Sequence, residues 1–114
     1  MGSPVVHFEI VTTKGAEQLQ QFYSETFDWK VDANNPMGYG IVDTGEGGIN
    51  GGIGPSEDAE RVTFYVQVDD LEKTLEKIES RGGKTSVPPT EIPNMVTFAL
   101  FQDPAGNTVG LVKG

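Results

Sequence analysis

The chain has 114 residues, of which 36% are hydrophobic and 22% charged, so its composition predicts one globular domain over residues 1–114 and excludes disordered and fibrous classes. Lys and Arg total 8 against 17 Asp and Glu, and the net charge of −9 argues against nucleic acid and anionic membrane surfaces as partners. The absence of cysteine excludes disulfides, thiolate nucleophiles and Cys-based zinc sites.

The first residues of the chain predict its compartment. Met1-Gly2-Ser3-Pro4 lacks a basic segment followed by an apolar stretch, and no apolar run approaches the roughly 20 residues that span a bilayer. We therefore expect a soluble, cytoplasmic protein with no membrane partner. The Met1-Gly2-Ser3 segment receives no role.

The first half of the chain predicts a strand, a helix and three short strands. Apolar and polar residues alternate in the predicted strand over 5–11. Its core face is formed by Val6, Phe8 and Ile10, and its polar face by His7 and Glu9. A helical stripe of apolar residues predicts a helix over 16–27: Leu19, Phe22, Tyr23 and Phe27. Three short strands are predicted over 29–31, 39–42 and 49–53, separated by Asn, Pro and Gly.

The same order of elements then repeats. Alternation over 62–68 predicts a strand with Val62, Phe64, Val66 and Val68 on the core face and Thr63, Tyr65 and Gln67 on the polar face. Asp69 and Glu72 resemble a capping box that begins a helix, whose apolar stripe is Leu71, Leu75 and Ile78 and which Gly82-Gly83 ends. Strands are predicted over 84–87, 96–102 and 108–112, with a turn at Asp103-Pro104-Ala105-Gly106-Asn107.

Phe8 and Phe64 hold equivalent places in the two halves, which indicates a duplication. The predicted fold is α+β, with two βαβββ units, about 4–54 and 61–114, forming a curved mixed sheet with helices on its outer face. The concave face is expected to carry His7, Glu9, Thr63, Tyr65 and Gln67.

Several short motifs resemble the vicinal oxygen chelate superfamily, which includes glyoxalase I, bleomycin-resistance proteins and extradiol dioxygenases. The resemblance covers nearly the whole chain, and its motifs are Val6-His7-Phe8-Glu9-Ile10, Phe22-Tyr23 before Phe27-Asp28-Trp29, Val68-Asp69-Asp70-Leu71, Gly82-Gly83 and Asp103-Pro104-Ala105-Gly106-Asn107. It implies the paired βαβββ fold and a homodimer.

The resemblance also implies where a divalent metal would bind. Enzymes of this family hold the metal with four side chains, usually His, Gln or Glu, one from each of four strands. His7 matches the first position, but Thr63 and Gly110 stand where two further ligands are expected, and Asn50 is the candidate on the fourth strand. One imidazole does not complete a coordination set, so we predict no metal and no cofactor.

Other candidates have competing structural interpretations. Tyr65 and Phe101 are interpreted either as stacking walls for a flat ligand or as ordinary residues of a sheet or dimer interface. Asp69 and Asp70 are interpreted as helix caps, and Asp103 begins a turn. The six glycines within 45–54 lack the Lys-Ser/Thr ending of a phosphate loop and favour close backbone approach instead.

The function expected from these features is metal-independent binding of a small organic molecule. The predicted ligand-binding residues are His7, Glu9, Asn50, Thr63, Tyr65, Gln67 and Phe101. The alternative is a metal-free lyase or isomerase of the same superfamily that uses His7 and Glu9 as acid and base. A third hypothesis is a structural or interaction module whose pocket has closed.

Overall fold

The computed structural model describes residues 2–93 and 95–114, and it has two helices and eight strands. The predicted α+β class and the repeated βαβββ order are confirmed. The residues form two compact units, which we call the amino-terminal unit, His7–Thr63, and the carboxy-terminal unit, Phe64–Gly114 together with the segment up to Val6.

The first βαβββ sequence contains β1 Val5–Thr12, α1 Ala16–Phe27, β2 Lys30–Asp32, β3 Gly40–Asp43 and β4 Gly51–Pro55. The strands lie in the order β2-β3-β4-β1. β1 and β4 are parallel, and the other two pairs are antiparallel, so this sheet is mixed. The predicted helix has the observed bounds, whereas β4 begins two residues after its predicted start.

The core of the amino-terminal unit confirms the predicted core side of β1. Ile10, Val42 and Ile53 form its buried cluster, and the partly buried residues that pack against it are Phe8, Leu19, Tyr23, Trp29 and Val31. Residues of α1 and the helix-facing side of the sheet therefore share one apolar layer. Val6, by contrast, is exposed, although the alternation placed it on the core face.

Hydrogen bonds to one carboxylate connect the end of β1 to the segment that precedes β5. Glu60 accepts hydrogen bonds from the Thr12 hydroxyl and from the backbone nitrogen and hydroxyl of Thr13, the last two at 2.8 and 2.7 Å. These bonds stabilise the charged form, led by the one from Thr12, and they lower the pKa of Glu60 to about 2.

The second βαβββ sequence contains β5 Arg61–Val68, α2 Leu71–Ser80, β6 Lys84–Glu91, β7 Thr97–Gln102 and β8 Thr108–Lys113. The strands lie in the order β5-β8-β7-β6, with β5 and β8 parallel and the other pairs antiparallel. β6 runs four residues beyond its predicted end and contains Pro88 and Pro89 at the second of its two register shifts, between Val87 and Thr90.

The core of the carboxy-terminal unit lies between α2 and one side of its sheet. Its buried members are Leu71, Leu75, Ala99 and Leu111, and the residues packed against them are Val66, Val68, Ile78 and Phe101. Val62 and Phe64 were expected on the same core face, but they are 75% and 43% exposed. Alternation predicts which residues share a face of β5, but it does not predict how far along the strand that face is covered.

The start of α2 corrects the predicted cap by one residue. Asp70, not Asp69, is the N-cap, and its carboxylate accepts a hydrogen bond from the backbone nitrogen of Lys73. Gly82, at φ 98°, follows the helix end as predicted.

The turn predicted at Asp103–Asn107 is confirmed. The Asp103 carboxylate accepts bonds from the backbone nitrogens of Ala105 and Asn107 and from the Asn107 side chain. These bonds, chiefly those from Asn107, lower the pKa of Asp103. Neither helix among the described residues has the length and apolar character needed to cross a membrane.

Candidate functional site

His7 and Glu9 lie two residues apart on β1 and therefore on the same side of the sheet, as predicted. This side is opposite the one that carries Phe8 and Ile10 to the core. Glu9 pairs with Gly52 of β4, and Val11 pairs with Gly54, so both glycines share the side of the two polar residues. β4 therefore presents no side chain on this face beside Glu9.

The Tyr39 side chain fills the space that these glycines leave. A Cβ atom added to Gly52 would stand 1.8 Å from the Tyr39 hydroxyl oxygen, and one added to Gly54 would stand 2.6 Å from Tyr39 Cδ1. The ring therefore lies directly on the backbone of β4. Any larger residue at either position would displace it.

The Tyr39 hydroxyl joins the two predicted site residues. It donates to Glu9 Oε2 at 3.1 Å, and its oxygen lies 3.1 Å from His7 Nε2. Because the hydroxyl proton is directed to Glu9, the oxygen accepts from His7, which requires the tautomer with hydrogen on Nε2. His7, Tyr39 and Glu9 thus form a continuous hydrogen-bonded chain, which we call the polar triad.

The main chain around Tyr39 is anchored on both sides. Asn35 accepts from the Tyr39 backbone nitrogen at 3.1 Å and donates to the Tyr39 carbonyl at 2.6 Å. The buried side chain of Gln20 on α1 donates to the Gly38 and Ile53 carbonyls, at 3.0 and 2.7 Å. Because this buried amide bonds both the connection before β3 and the main chain of β4, a polar residue can lie inside the helix-facing layer.

The environment of His7 favours its neutral form. Burial removes water from the imidazole and lowers the pKa of His7 below 6.5, and the nearby Glu9 carboxylate opposes this shift. A neutral imidazole beside a carboxylate has the groups needed to accept a proton, to donate one and to orient a polar ligand.

Two other predicted residues of the amino-terminal unit have different surroundings. The Asn50 side chain accepts from the Thr44 backbone nitrogen at 3.0 Å and braces the exposed connection between β3 and β4. Thr63 is buried on β5, with 6% of its surface exposed.

In the carboxy-terminal unit, Tyr65 covers Gly110. The two residues are partners on β5 and β8, and a Cβ on Gly110 would lie 2.4 Å from Tyr65 Cδ2. The place where the resemblance implies a metal-binding glutamate is therefore occupied by an aromatic ring, and Tyr65 is only 7% exposed.

Phe101 does not share a face with Tyr65, which corrects its predicted role as a wall of the same pocket. Phe101 pairs with Val109, whereas Tyr65 pairs with the next residue, Gly110, so their side chains project from opposite sides of the sheet. Phe101 packs instead against the core beneath α2.

Gln67 remains on the Tyr65 side of β5. It contributes to an open groove of about 480 Å³ formed by the segment before β1, the end of β5 and the first turns of α2. The charged residues of this groove are Asp69, Asp70, Lys73 and Lys77.

Tyr39 is the site residue that the sequence interpretation missed, although the sequence contained a signal for it. Gly52 and Gly54 alternate on one strand and leave one face of that strand without side chains. To assign Tyr39 to this face, one needs the registers of β3 with β4 and of β4 with β1, which alternation within a single strand does not supply.

Comparisons with known proteins match this architecture. The profile of the Glyoxalase/Bleomycin resistance protein/Dioxygenase superfamily matches residues 5–111. A glyoxylase-like domain-containing protein of Didymella fabae is 30% identical over 118 aligned positions, which cover 91% of this chain and 92% of that protein.

Two solved structures illustrate the likeness in fold. A hypothetical protein of Bacillus halodurans superposes with a TM-score of 0.71 at 15% identity, covering 100% of this chain and 96% of its own. A superfamily member of Vibrio splendidus superposes with a TM-score of 0.67, also at 15% identity, covering 99% of this chain and 100% of its own.

Proposed function

The chain belongs to the glyoxalase/bleomycin resistance protein/dioxygenase superfamily, and from this premise we propose that it is a metal-independent protein that binds a small organic molecule at the polar triad. The observation that carries the proposal is the continuous hydrogen-bonded chain from His7 through Tyr39 to Glu9 above Gly52 and Gly54. A small number of convergent polar groups is typical of small-ligand sites.

Metal independence is supported by the residues that stand in place of ligands. Gly110 contributes no donor, and Tyr65 covers it. The Tyr39 hydroxyl lies between His7 and Glu9, within hydrogen-bonding distance of both. Among residues 2–93 and 95–114, no three His, Cys, Asp or Glu side chains are grouped so that they would hold a metal. These residues do not fit the four-ligand metal site of the superfamily enzymes.

The expected ligand is uncharged or cationic and partly aromatic. The net charge of −9 and the Glu9 carboxylate oppose the approach of anions. Gly52 and Gly54 leave a flat surface without side chains beside His7 and Glu9, and the two polar groups would orient a ligand there without strong charge pairing.

A ligand screen by calorimetry tests the proposal, with neutral, cationic and anionic aromatic molecules of matched size. Affinity for the neutral or cationic molecules that bind should fall in His7→Ala by about 1–3 kcal/mol, the range for a lost buried hydrogen bond. Gln21→Ala, a polar truncation on the exposed side of α1, is the matched control and should bind as the wild type does. Unchanged affinity in His7→Ala would place the site elsewhere.

Elemental analysis of protein purified without a histidine tag tests metal independence separately. We expect far less than stoichiometric metal. About one zinc, nickel or iron ion per chain that is lost in His7→Ala would contradict the proposal.

A second candidate function is metal-free acid–base catalysis, as in an isomerase or lyase. The polar triad favours it because a neutral imidazole and a carboxylate share one hydroxyl, so that one group can remove a proton from a bound ligand while the other returns one. The pH dependence of turnover of a bound molecule separates this function from binding alone. His7→Ala and Glu9→Gln should each reduce the rate more than the affinity.

A further inference from the structure

The Tyr39 side chain occupies the flat surface where a ligand of the polar triad would lie. Its hydroxyl oxygen and ring stand within 1.8 to 2.6 Å of the positions that Cβ atoms of Gly52 and Gly54 would take. The two glycines thus provide a surface that accepts a ring in direct contact with the backbone. This surface is buried in the folded chain, and the ring of Tyr39 contributes to its cover.

The hydroxyl of this ring is recognised from two directions. His7 donates to its oxygen and Glu9 accepts its proton, both at 3.1 Å. A methyl group or a hydrogen atom in the place of the hydroxyl would satisfy neither partner. A carboxylate there would be repelled by Glu9. The surface and its two polar groups are therefore complementary to an uncharged flat molecule that carries a hydroxyl.

Tyr39 can leave this surface without breaking the sheet. It precedes β3, which begins at Gly40, so no strand pairing depends on it. Asn35 and Gln20 hold the main chain around it, and rotation about the Cα–Cβ bond moves the ring alone. Tyr39 is half-buried, so part of the residue is already in contact with solvent.

We propose that Tyr39 is an internal occupant of the ligand site and that the ligand is an uncharged, hydroxylated flat molecule that displaces its ring. The inference rests on the proposed binding function and deepens it by naming the ligand chemistry. When the Tyr39 ring lies on Gly52 and Gly54, the protein binds its own phenol. The apparent affinity for an external ligand is then the intrinsic affinity multiplied by the fraction of molecules in which the ring has left this surface.

The test uses p-cresol, which is the tyrosine side chain as a free molecule, and toluene, which lacks the hydroxyl. Binding is followed by NMR through the ring protons of His7, because the chain contains one histidine. We compare the wild type, Tyr39→Ala, and Tyr39→Ala combined with His7→Gln, the last followed through its amide spectrum. Phe22→Ala, which removes an exposed ring from α1, is the matched control.

In Tyr39→Ala we expect p-cresol to bind about tenfold tighter than in the wild type, because the Tyr39 ring no longer competes for the surface. In the same variant, p-cresol should bind about tenfold tighter than toluene, because one well-formed hydrogen bond corresponds to roughly that ratio. The preference over toluene should shrink when His7→Gln is added. Phe22→Ala should bind p-cresol as the wild type does. In the wild type, p-cresol should still shift the His7 signals, at higher concentration.

Three results would overturn the inference. Equal affinity of p-cresol and toluene for folded Tyr39→Ala would exclude recognition of the hydroxyl. Affinity no tighter than that of the wild type would show that Tyr39 does not occupy the site. Wild-type His7 signals that stay unmoved at millimolar p-cresol would exclude displacement. Failure of the proposed binding function itself would give a different result. In that case His7→Ala in an otherwise wild-type chain would bind every ligand of the calorimetric screen as tightly as the wild type does.

Discussion

The ring of Tyr65 covers Gly110 on the neighbouring strand so closely that a Cβ on the glycine would lie 2.4 Å from Tyr65 Cδ2. Gly110→Ala should therefore destabilise the protein by about 1–3 kcal/mol, because the ring has to shift within a packed layer. Urea unfolding measures the change. The double variant Gly110→Ala with Tyr65→Ala should be more stable than the sum of the two single effects predicts. Simple additivity would show that the contact does not constrain this position.

Tyr39→Phe keeps the ring above Gly52 and Gly54 but removes the hydroxyl that joins His7 to Glu9. We expect a loss of about 1–3 kcal/mol in the free energy of unfolding, because two hydrogen bonds disappear and one of them involves a charged group. Chemical denaturation measures it. Tyr23→Phe is the control for removal of a phenolic hydroxyl on the helix side of the same unit, where Tyr23 stacks on Trp29. A loss in Tyr39→Phe no greater than in this control would contradict the strength assigned to the polar triad.

The pKa of His7 lies below 6.5 because burial disfavours its charged form. Between that lowered pKa and 6.5 the unfolded chain binds a proton that the folded chain does not, so stability rises with pH across this window. The penalty is absent above pH 6.5 and complete below the pKa of the folded state. Unfolding of the wild type and His7→Gln at a series of pH values isolates this component, which the variant should lack.

The Glu9 carboxylate raises the pKa of His7 against the effect of burial. Glu9→Gln should therefore lower that pKa further. NMR titration of the single imidazole gives the value directly. A higher pKa in Glu9→Gln would reverse the electrostatic assignment.

The pKa of Glu60 is lowered from 4.5 to about 2 by bonds from Thr12 and Thr13. Its contribution to stability is present above pH 4.5 and is lost as the pH falls towards 2. The difference in unfolding free energy between the wild type and Glu60→Gln should narrow over this range. Glu57→Gln removes the same charge from the same segment and should show a smaller pH-dependent difference. Equal behaviour of the two variants would argue against a specific role for the Glu60 bonds.

The cap of α2 offers a comparison between adjacent residues of the same type. Asp70→Ala should cost about 1 kcal/mol because the backbone nitrogen of Lys73 loses its acceptor. Asp69→Ala should cost much less, since Asp69 precedes the cap. Thermal or urea unfolding of both variants decides between them, and a larger effect at Asp69 would restore the assignment from the capping-box pattern.

The fold follows from patterns that repeat along the chain, which explains why its class was predictable. Alternation in β1 placed His7 and Glu9 correctly opposite Phe8 and Ile10, because one face of that strand is apolar and the other polar. β7 has apolar residues on both faces, among them Leu100 and Phe101, and its alternation therefore does not distinguish them. The position of Phe101 depends on the register of β7 with β8, and no local sequence pattern encodes that register.

The candidate site was half predictable for a related reason. His7 and Glu9 belong to one strand, whereas Tyr39 reaches them from the residue just before β3. The Tyr39 ring can reach His7 and Glu9 only because Gly52 and Gly54 on the intervening strand have no side chains. These glycines predict the position of Tyr39 only when the registers of the three strands are known. The neighbouring Asp69 and Asp70 show the same limit on a smaller scale, since the pattern locates the helix start but not the carboxylate that caps it.

The paired prolines in β6 affect how copies of this protein can meet. Pro88 and Pro89 provide no backbone donor, and the register shift at these prolines interrupts the ladder of the terminal strand in this unit's sheet. An incoming strand would find a discontinuous template, which disfavours edge-to-edge polymerisation of the kind that initiates amyloid. Self-association through this edge is therefore disfavoured, and contacts between copies should use side-chain surfaces instead.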